Sequence, residues 1–197
     1  MIRINTDLAY SIGVVQTDGS FYESRNLPMI GLGVSRKSLQ MLKKFRKITK
    51  CGYYRYKISV KQLLQIFKIL DIKFGDPPLP PKWVVTNPNI FGAYLAGVID
   101  GDGDVRIKRP KYPQCVVRIS SGRMPKELRK EIKNNLKCEV SSTFRTNVSY
   151  LNGRKILGKW CTIEFCVSKK NREFIRNFIL PYMTLIYKSH KLSDFIN

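Results

Sequence analysis

One short pattern occurs twice in this chain, 84 positions apart. Residues 8–21 read LAYSIGVVQTDGSF and residues 92–105 read GAYLAGVIDGDGDV. At a single offset Ala9 matches Ala93, Tyr10 matches Tyr94, Gly13 matches Gly97, Val14 matches Val98, Asp18 matches Asp102 and Gly19 matches Gly103. So many matches at one offset mark an internal repeat. Each copy reads as an apolar helix ending in Asp-Gly, with small residues one turn apart: Ala9 and Gly13, then Ala93 and Gly97. Positions i and i+4 share a helix face, so two such helices can meet backbone to backbone. Packed that way, their ends bring Asp18 and Asp102 side by side. Small residues alone serve ordinary helix packing, but they do not account for an acid at the same place in both copies. Two like charges held close usually mark a metal or catalytic site.

The rest of the chain repeats the same order of elements. After a helix over 5–18, with Thr6 or Asp7 as its N-cap, strands are expected at 20–26 and 29–35 around a Leu27-Pro28 turn. An amphipathic helix follows over 37–48, then one strand over 53–59 and a helix over 60–70. Residues 71–88 hold five of the ten prolines, which fix φ and remove ladder donors, so this stretch reads as a semi-rigid connector. Beyond it come a helix over 90–102, strands at 105–108 and 114–120, and a helix over 125–136. A long hairpin turning at Asn152-Gly153 and helices at 170–180 and 181–196 complete the chain. The expectation is an α+β fold: a first lobe over 1–75 with a reduced third strand, a proline-rich linker over 76–88, and a second lobe over 89–197. Each lobe has the order αββαββα with a small antiparallel sheet.

Charge narrows the partner. The chain carries 36 Lys+Arg against 14 Asp+Glu, a net charge of +22, which favours a polyanion and above all nucleic acid. Hydrophobic residues make up 43% of the sequence, enough for a packed core. The five cysteines form no C-x-x-C pair and His190 is the single histidine, which argues against structural zinc. The odd cysteine count and the absence of an apolar signal core or membrane-length run fit a reducing cytoplasm, prokaryotic or organellar, with access to DNA.

The segment LAGVIDGDG, Leu95 to Gly103, resembles the nine-residue motif of the LAGLIDADG homing endonucleases, from which it differs at Val98 and Gly101. SIGVVQTDG, Ser11 to Gly19, is a degenerate copy that keeps both glycines and the acid. The two-motif length and the order of elements also resemble single-chain members, especially compact archaeal intron-encoded ones. The resemblance implies a monomer whose motif helices form the lobe interface through Ala9, Gly13, Ala93 and Gly97, with two sheets forming a saddle over double-stranded DNA. It implies that Asp18 and Asp102, assisted by the carbonyls of Thr17 and Gly101, hold Mg²⁺ while water cuts one phosphodiester on each strand. Ca²⁺ would support binding without cleavage. Family members place a basic residue near the metals, for which Arg36, Lys57 and Lys169 are the nearest candidates. Gln16 stands where the second copy has Asp100, a position that packs near the helix end.

The residues expected to touch DNA are Arg25, Arg36, Lys37, Arg55 and Lys57 in the first lobe. In the second they are Arg106, Lys108, Arg109, Arg118, Arg145, Arg154, Lys155 and Lys159. Such side chains read guanine edges or neutralise phosphates. Lys43, Lys44, Arg46 and Lys47 sit on a helix face that adds only to the general field. Two rival readings keep the scaffold without cleavage, an RNA-splicing maturase and a DNA-binding regulator. Both leave the two acids without a chemical purpose.

Overall fold

The computed structural model describes residues 4–24, 27–50, 53–54, 57–59, 67–70, 72, 77–109 and 111–197. It is a mixed helix and antiparallel-sheet fold built around two four-stranded sheets. Helix α1 spans Thr6–Asp18 and helix α3 spans Pro88–Asp102. Their N-caps are Asn5 and Asn87, whose side chains accept from Leu8 N and from Asn89 and Ile90 N. Asn5 thus takes the cap expected of Thr6 or Asp7. It is a short acceptor placed one residue earlier, where its oxygen reaches the third helical amide.

Each helix runs straight into a strand at its glycine. A Cβ on Gly19 would lie 2.2 Å from the Val15 carbonyl oxygen, and one on Gly103 would lie 2.4 Å from that of Ile99. The repeated Asp-Gly therefore has a steric origin: only glycine lets the chain leave the helix this tightly. Strand β1 (Gly19–Ser24) pairs with β2 (Leu27–Gly33), and β5 (Gly103–Lys108) pairs with β6 (Gln114–Ser121). Leu27 and Pro28, expected as the turn, instead lie within β2, where they pair with Ser24 and Glu23. A 3₁₀ turn at Arg36–Ser38 leads into α2, Leu39–Thr49.

The single strand expected over 53–59 is instead two short ones, β3 (Tyr53–Tyr54) and β4 (Lys57–Ser59). They complete the order β1-β2-β4-β3. The second sheet repeats that order as β5-β6-β8-β7, with a much longer last pair of strands, Val140–Leu151 (β7) and Arg154–Cys166 (β8). Their turn is Asn152-Gly153, with φ of 50° and 76°, the left-handed pair that an Asn-Gly hairpin supplies. Residues 60–66 of the expected 60–70 helix lie outside the described residues, and 67–69 are helical.

Helix α4 (Lys126–Leu136) buries Leu128, Ile132 and Leu136. After β8 the chain turns through α5 (Arg172–Phe174), a π-helical stretch (Ile175–Ile179) and a 3₁₀ turn (Leu180–Tyr182) into α6, Ile186–Ile196. The last helix begins later than expected because Pro181 closes the 3₁₀ turn and Met183 is extended. The core is continuous from α1 through α3 into the second sheet, with Tyr10, Tyr94, Phe45 and Phe91 fully enclosed.

Candidate active site at the helix crossing

The two repeated helices lie against each other with no side chain between them at the crossing. A Cβ on Gly13 would sit 2.3 Å from Tyr94 O and 2.9 Å from Val98 N; one on Gly97 would sit 2.3 Å from Tyr10 O and 3.1 Å from Val14 N. Tyr10 and Tyr94, like Val14 and Val98, are the same positions of the repeat. The contact is therefore two-fold symmetric in its parts. Ala9 and Ala93, one turn earlier, are fully buried. One turn later, a Cβ on Gly101 would lie 2.0 Å from Thr17 Oγ1 and 3.6 Å from the carboxyl carbon of Asp18. The Asp18 carboxylate thus rests against the backbone that carries Asp102. Burial pushes the Asp18 pKa up, and Lys188 pulls it back in part.

Around this seam the two tyrosines cross over. Tyr10 donates from its hydroxyl to Asp100 Oδ2 at 2.8 Å, and Tyr94 donates to Gln16 Oε1 at 2.7 Å. Each tyrosine reaches the sixth motif position of the opposite helix, so the interface is fixed by a matched pair of bonds. The surroundings of the two acceptors differ. Gln16 donates to Leu79 O in the proline-rich segment at 2.9 Å. Asp100, 1% exposed, also accepts from Thr184 N at 2.7 Å and Leu185 N at 3.3 Å, at the start of α6. A carboxylate there meets the positive end of that helix. Burial still raises its pKa, against the lowering effect of those donors and of Lys188.

Lys188, in the first turn of α6, is the residue that sequence reasoning missed. It is 6% exposed, and its ammonium donates to Ile99 O and Asp100 O at 2.7 Å each and to Gly101 O at 3.3 Å. These carbonyls lie in the last turn of α3, where Ile99 O also accepts from Gly103 N, and a cation there completes the helix end. Burial lowers the Lys188 pKa, while Asp100, Asp18, Asp102 and Asp104 raise it. The only sequence signal was a lysine at helical spacing from Leu185 and Leu192. Lys44 also departs from expectation. Its ammonium lies 3.6 Å from the Tyr10 ring centre and donates to Tyr182 O, so it ties α2 to the turn before α6.

Among the basic candidates, Lys169 is not brought to the acids. Gly103 pairs with Ile119 near one end of β6, whereas Cys166 pairs with Val116 near the other, and Lys169 lies beyond Cys166. Arg36, by contrast, follows Leu32 and Gly33 just past the Gly19 end of the first sheet and is exposed, as is Lys37. The Lys57 backbone pairs with Gly33 at that same end. Arg25 and Arg55 lie outside the described residues.

Pairing sorts the second-sheet cations by face, because cross-strand partners share a side. Val105, Val117, Ile163 and Phe165 are buried on the helix side. The open side carries Arg106, Lys108, Arg118, Arg145 and Arg154. On it Glu164 accepts from Lys108 at 2.6 Å and lies 3.3 Å from Arg118, and Arg106 pairs with Asp104. Lys159 and Lys155, opposite Thr146 and Tyr150, point to the helix side instead. They do not share a surface with the others, because each lies an odd number of positions along β8 from Arg154. Arg109, exposed with φ of 55°, begins the turn after β5.

Hard oxygen donors suit Mg²⁺, which binds through one or two carboxylates and keeps water or phosphate as its remaining ligands. Asp18 and Asp102 fit that description, and the glycine at 101 leaves room beside the Asp18 carboxyl. Among the described residues no group of three or more His, Cys, Asp or Glu side chains could hold a metal alone. Any cation here would complete its shell with water, backbone carbonyls or substrate oxygen. No described helix is long and apolar enough to cross a membrane.

Comparison with solved structures places this architecture. It is similar to the homing endonuclease I-WcaI bound to its DNA recognition sequence, with a TM-score of 0.55 and 9% identity over 96% of this chain and 88% of that one. The LAGLIDADG meganuclease I-AabMI bound to uncleaved DNA gives 0.54 and 11% over 98% and 89%. The N-terminal LAGLIDADG domain of DUF199/WhiA gives 0.50 and 12% over 88% and 81%. The chain has their fold. No protein-family model and no curated protein matches the sequence.

Proposed function

We propose that this protein is a site-specific DNA endonuclease of the LAGLIDADG homing type, acting as a monomer on a long asymmetric duplex site. One observation carries the reading: the backbone contact of Gly13 with Gly97 sets two helix ends, each bearing an acid, together between two sheets. The lobes are residues 1–75 and 89–197, joined by 76–88. The open faces of the sheets straddle the major groove, with Arg106, Lys108, Arg118, Arg145 and Arg154 as the second-lobe contacts.

In the proposed reaction Asp18 and Asp102, with the Thr17 and Gly101 carbonyls, are the residues that would hold Mg²⁺. Mg²⁺ supplies positive charge as the phosphodiester gains negative charge. Water adds to phosphorus, the bond to O3′ breaks, and each strand is left with a 5′-phosphate and a 3′-hydroxyl, staggered as short 3′ overhangs. All three Lys188 N–H groups face α3 carbonyls. Lys188 therefore acts as a positioning residue, fixing the backbone under Asp102 and adding its charge. Arg36, which follows Gly33 past the Gly19 end of the first sheet, and Lys57, whose backbone pairs with Gly33 there, are the first-lobe cations assigned to this end.

The test is incubation with a plasmid library carrying a randomised insert and Mg²⁺, followed by sequencing of the new ends. Recovery of one sequence with staggered cuts is expected. Sequence-selective binding with no strand break would leave a DNA-binding regulator in its place.

A further inference from the structure

The long hairpin outruns the helices that cover its sheet. Helix α4 closes the helix side as far as Val140 and Cys161, where Arg129 donates to Val140 O at 2.9 Å and Cys161 meets the Met124 sulfur at 3.4 Å. Past that point β7 and β8 continue as a two-stranded ribbon. On its helix side Phe144 is 73% exposed, Tyr150 71% and Leu157 60%. Val148 pairs with Leu157, while Lys159 stands opposite Thr146 and Lys155 opposite Tyr150. Two bare rings about 20 Å apart along a strand, with apolar residues between and lysines beside them, line this side.

Composition says what covers it. From Val140 to Ile163 the ribbon carries Arg145, Arg154, Lys155 and Lys159 and no acid. A protein partner would bury these lysines unpaired, unless it brought acids to match. A polyanion whose bases are free to stack satisfies rings and lysines together. Duplex DNA cannot, since its base faces are stacked within the helix. RNA ordinarily offers unpaired bases, and stacking them on aromatic side chains is its usual mode of recognition.

We propose that the helix-side face of the β7–β8 ribbon is a second nucleic-acid site that binds single-stranded RNA. Phe144 and Tyr150 stack bases, and Lys155 and Lys159 neutralise the adjacent phosphates. The site is separate from the open face assigned to duplex DNA and does not depend on the cleavage reading.

The test is fluorescence anisotropy of the full chain with labelled oligo(U), in the presence and absence of saturating duplex DNA. Binding should persist with duplex present. Phe144→Ala and Tyr150→Ala should each weaken it about five-fold or more, while Phe144→Tyr and Tyr150→Phe restore it. Both rings are exposed, so equal thermal melts are expected for all variants, and duplex affinity should not change. Equal affinity of wild type and the Phe144→Ala/Tyr150→Ala double variant would overturn the proposal, as would competitive displacement of oligo(U) by duplex. Tighter binding of oligo(dT) than oligo(U) through the same rings would overturn the assignment to RNA.

Discussion

Asp100 and Lys188 each complete the other's helix. The carboxylate at the end of α3 accepts from the amides of Thr184 and Leu185 at the head of α6, and the ammonium from α6 caps the last carbonyls of α3. Negative charge at a helix start and positive charge at a helix end are both favourable. The exchange locks the turn beneath Asp102. Replacing Lys188 with Met should therefore reduce cleavage at least ten-fold with little change in duplex affinity, whereas Lys169→Met should leave both unchanged. Parallel cleavage and filter-binding assays read the two quantities separately. Equal rates for both variants would remove Lys188 from the site.

Asp18→Asn and Asp102→Asn should each abolish double-strand cleavage and keep DNA affinity, because a carboxylate beside phosphate repels DNA unless a cation intervenes. Added Ca²⁺ should raise the melting temperature of the wild type and not of either variant, since a ligand of the native state stabilises it by mass action.

Stability should also depend on pH in a defined direction. Burial raises the Asp18 pKa, so the unfolded chain ionises first as pH increases. Wild type then loses stability between the ordinary carboxylate range and the raised value, and the loss persists at neutral pH. Asn does not ionise. Asp18→Asn should thus melt higher than wild type near neutral pH, with the gap narrowing as pH falls below the unfolded carboxylate pKa. A gap that widens on acidification would contradict the burial of this group.

At the crossing, Gly13→Ala and Gly97→Ala each press a methyl into an opposing carbonyl. Each should cost about 1–3 kcal/mol, the usual penalty of overpacking. The double variant should cost less than the sum, because one shift of the helices relieves both clashes. Chemical denaturation of the three proteins decides this.

Tyr10→Phe removes a donor from the buried Asp100, whereas Tyr94→Phe removes one from the neutral Gln16. Hydrogen bonds to charged groups are worth about 1.5–3 kcal/mol against about 1 for neutral pairs. Tyr10→Phe should be the more destabilising in a denaturant melt, and an equal loss would argue against a charged Asp100.

The helix pair, the second four-stranded sheet and the Asn152-Gly153 turn were legible because each rests on a local signal: a repeat, an alternation, a dipeptide that prefers positive φ. The short hairpin of β3 and β4 was not, since two- and three-residue strands carry no period. Lys188 was invisible because its role comes from packing α6 on the end of α3, and its neighbours in sequence look like any amphipathic helix. Lys44 was read as a solvated charge for the same reason: it borders a basic run, and only the fold brings the Tyr10 ring under it. Lys169 was misplaced for the converse reason, since nearness to the last helix in sequence says nothing about which end of the sheet it occupies.

The Gly13–Gly97 crossing is also a gauge. Its spacing is set by the radii of backbone atoms, with no rotamer able to widen or narrow it. For an enzyme of the proposed kind, the stagger between the two nicks would then be built into the axle of the molecule and not into its reading surfaces. Sheets redesigned to recognise new sequences would still leave overhangs of the same length.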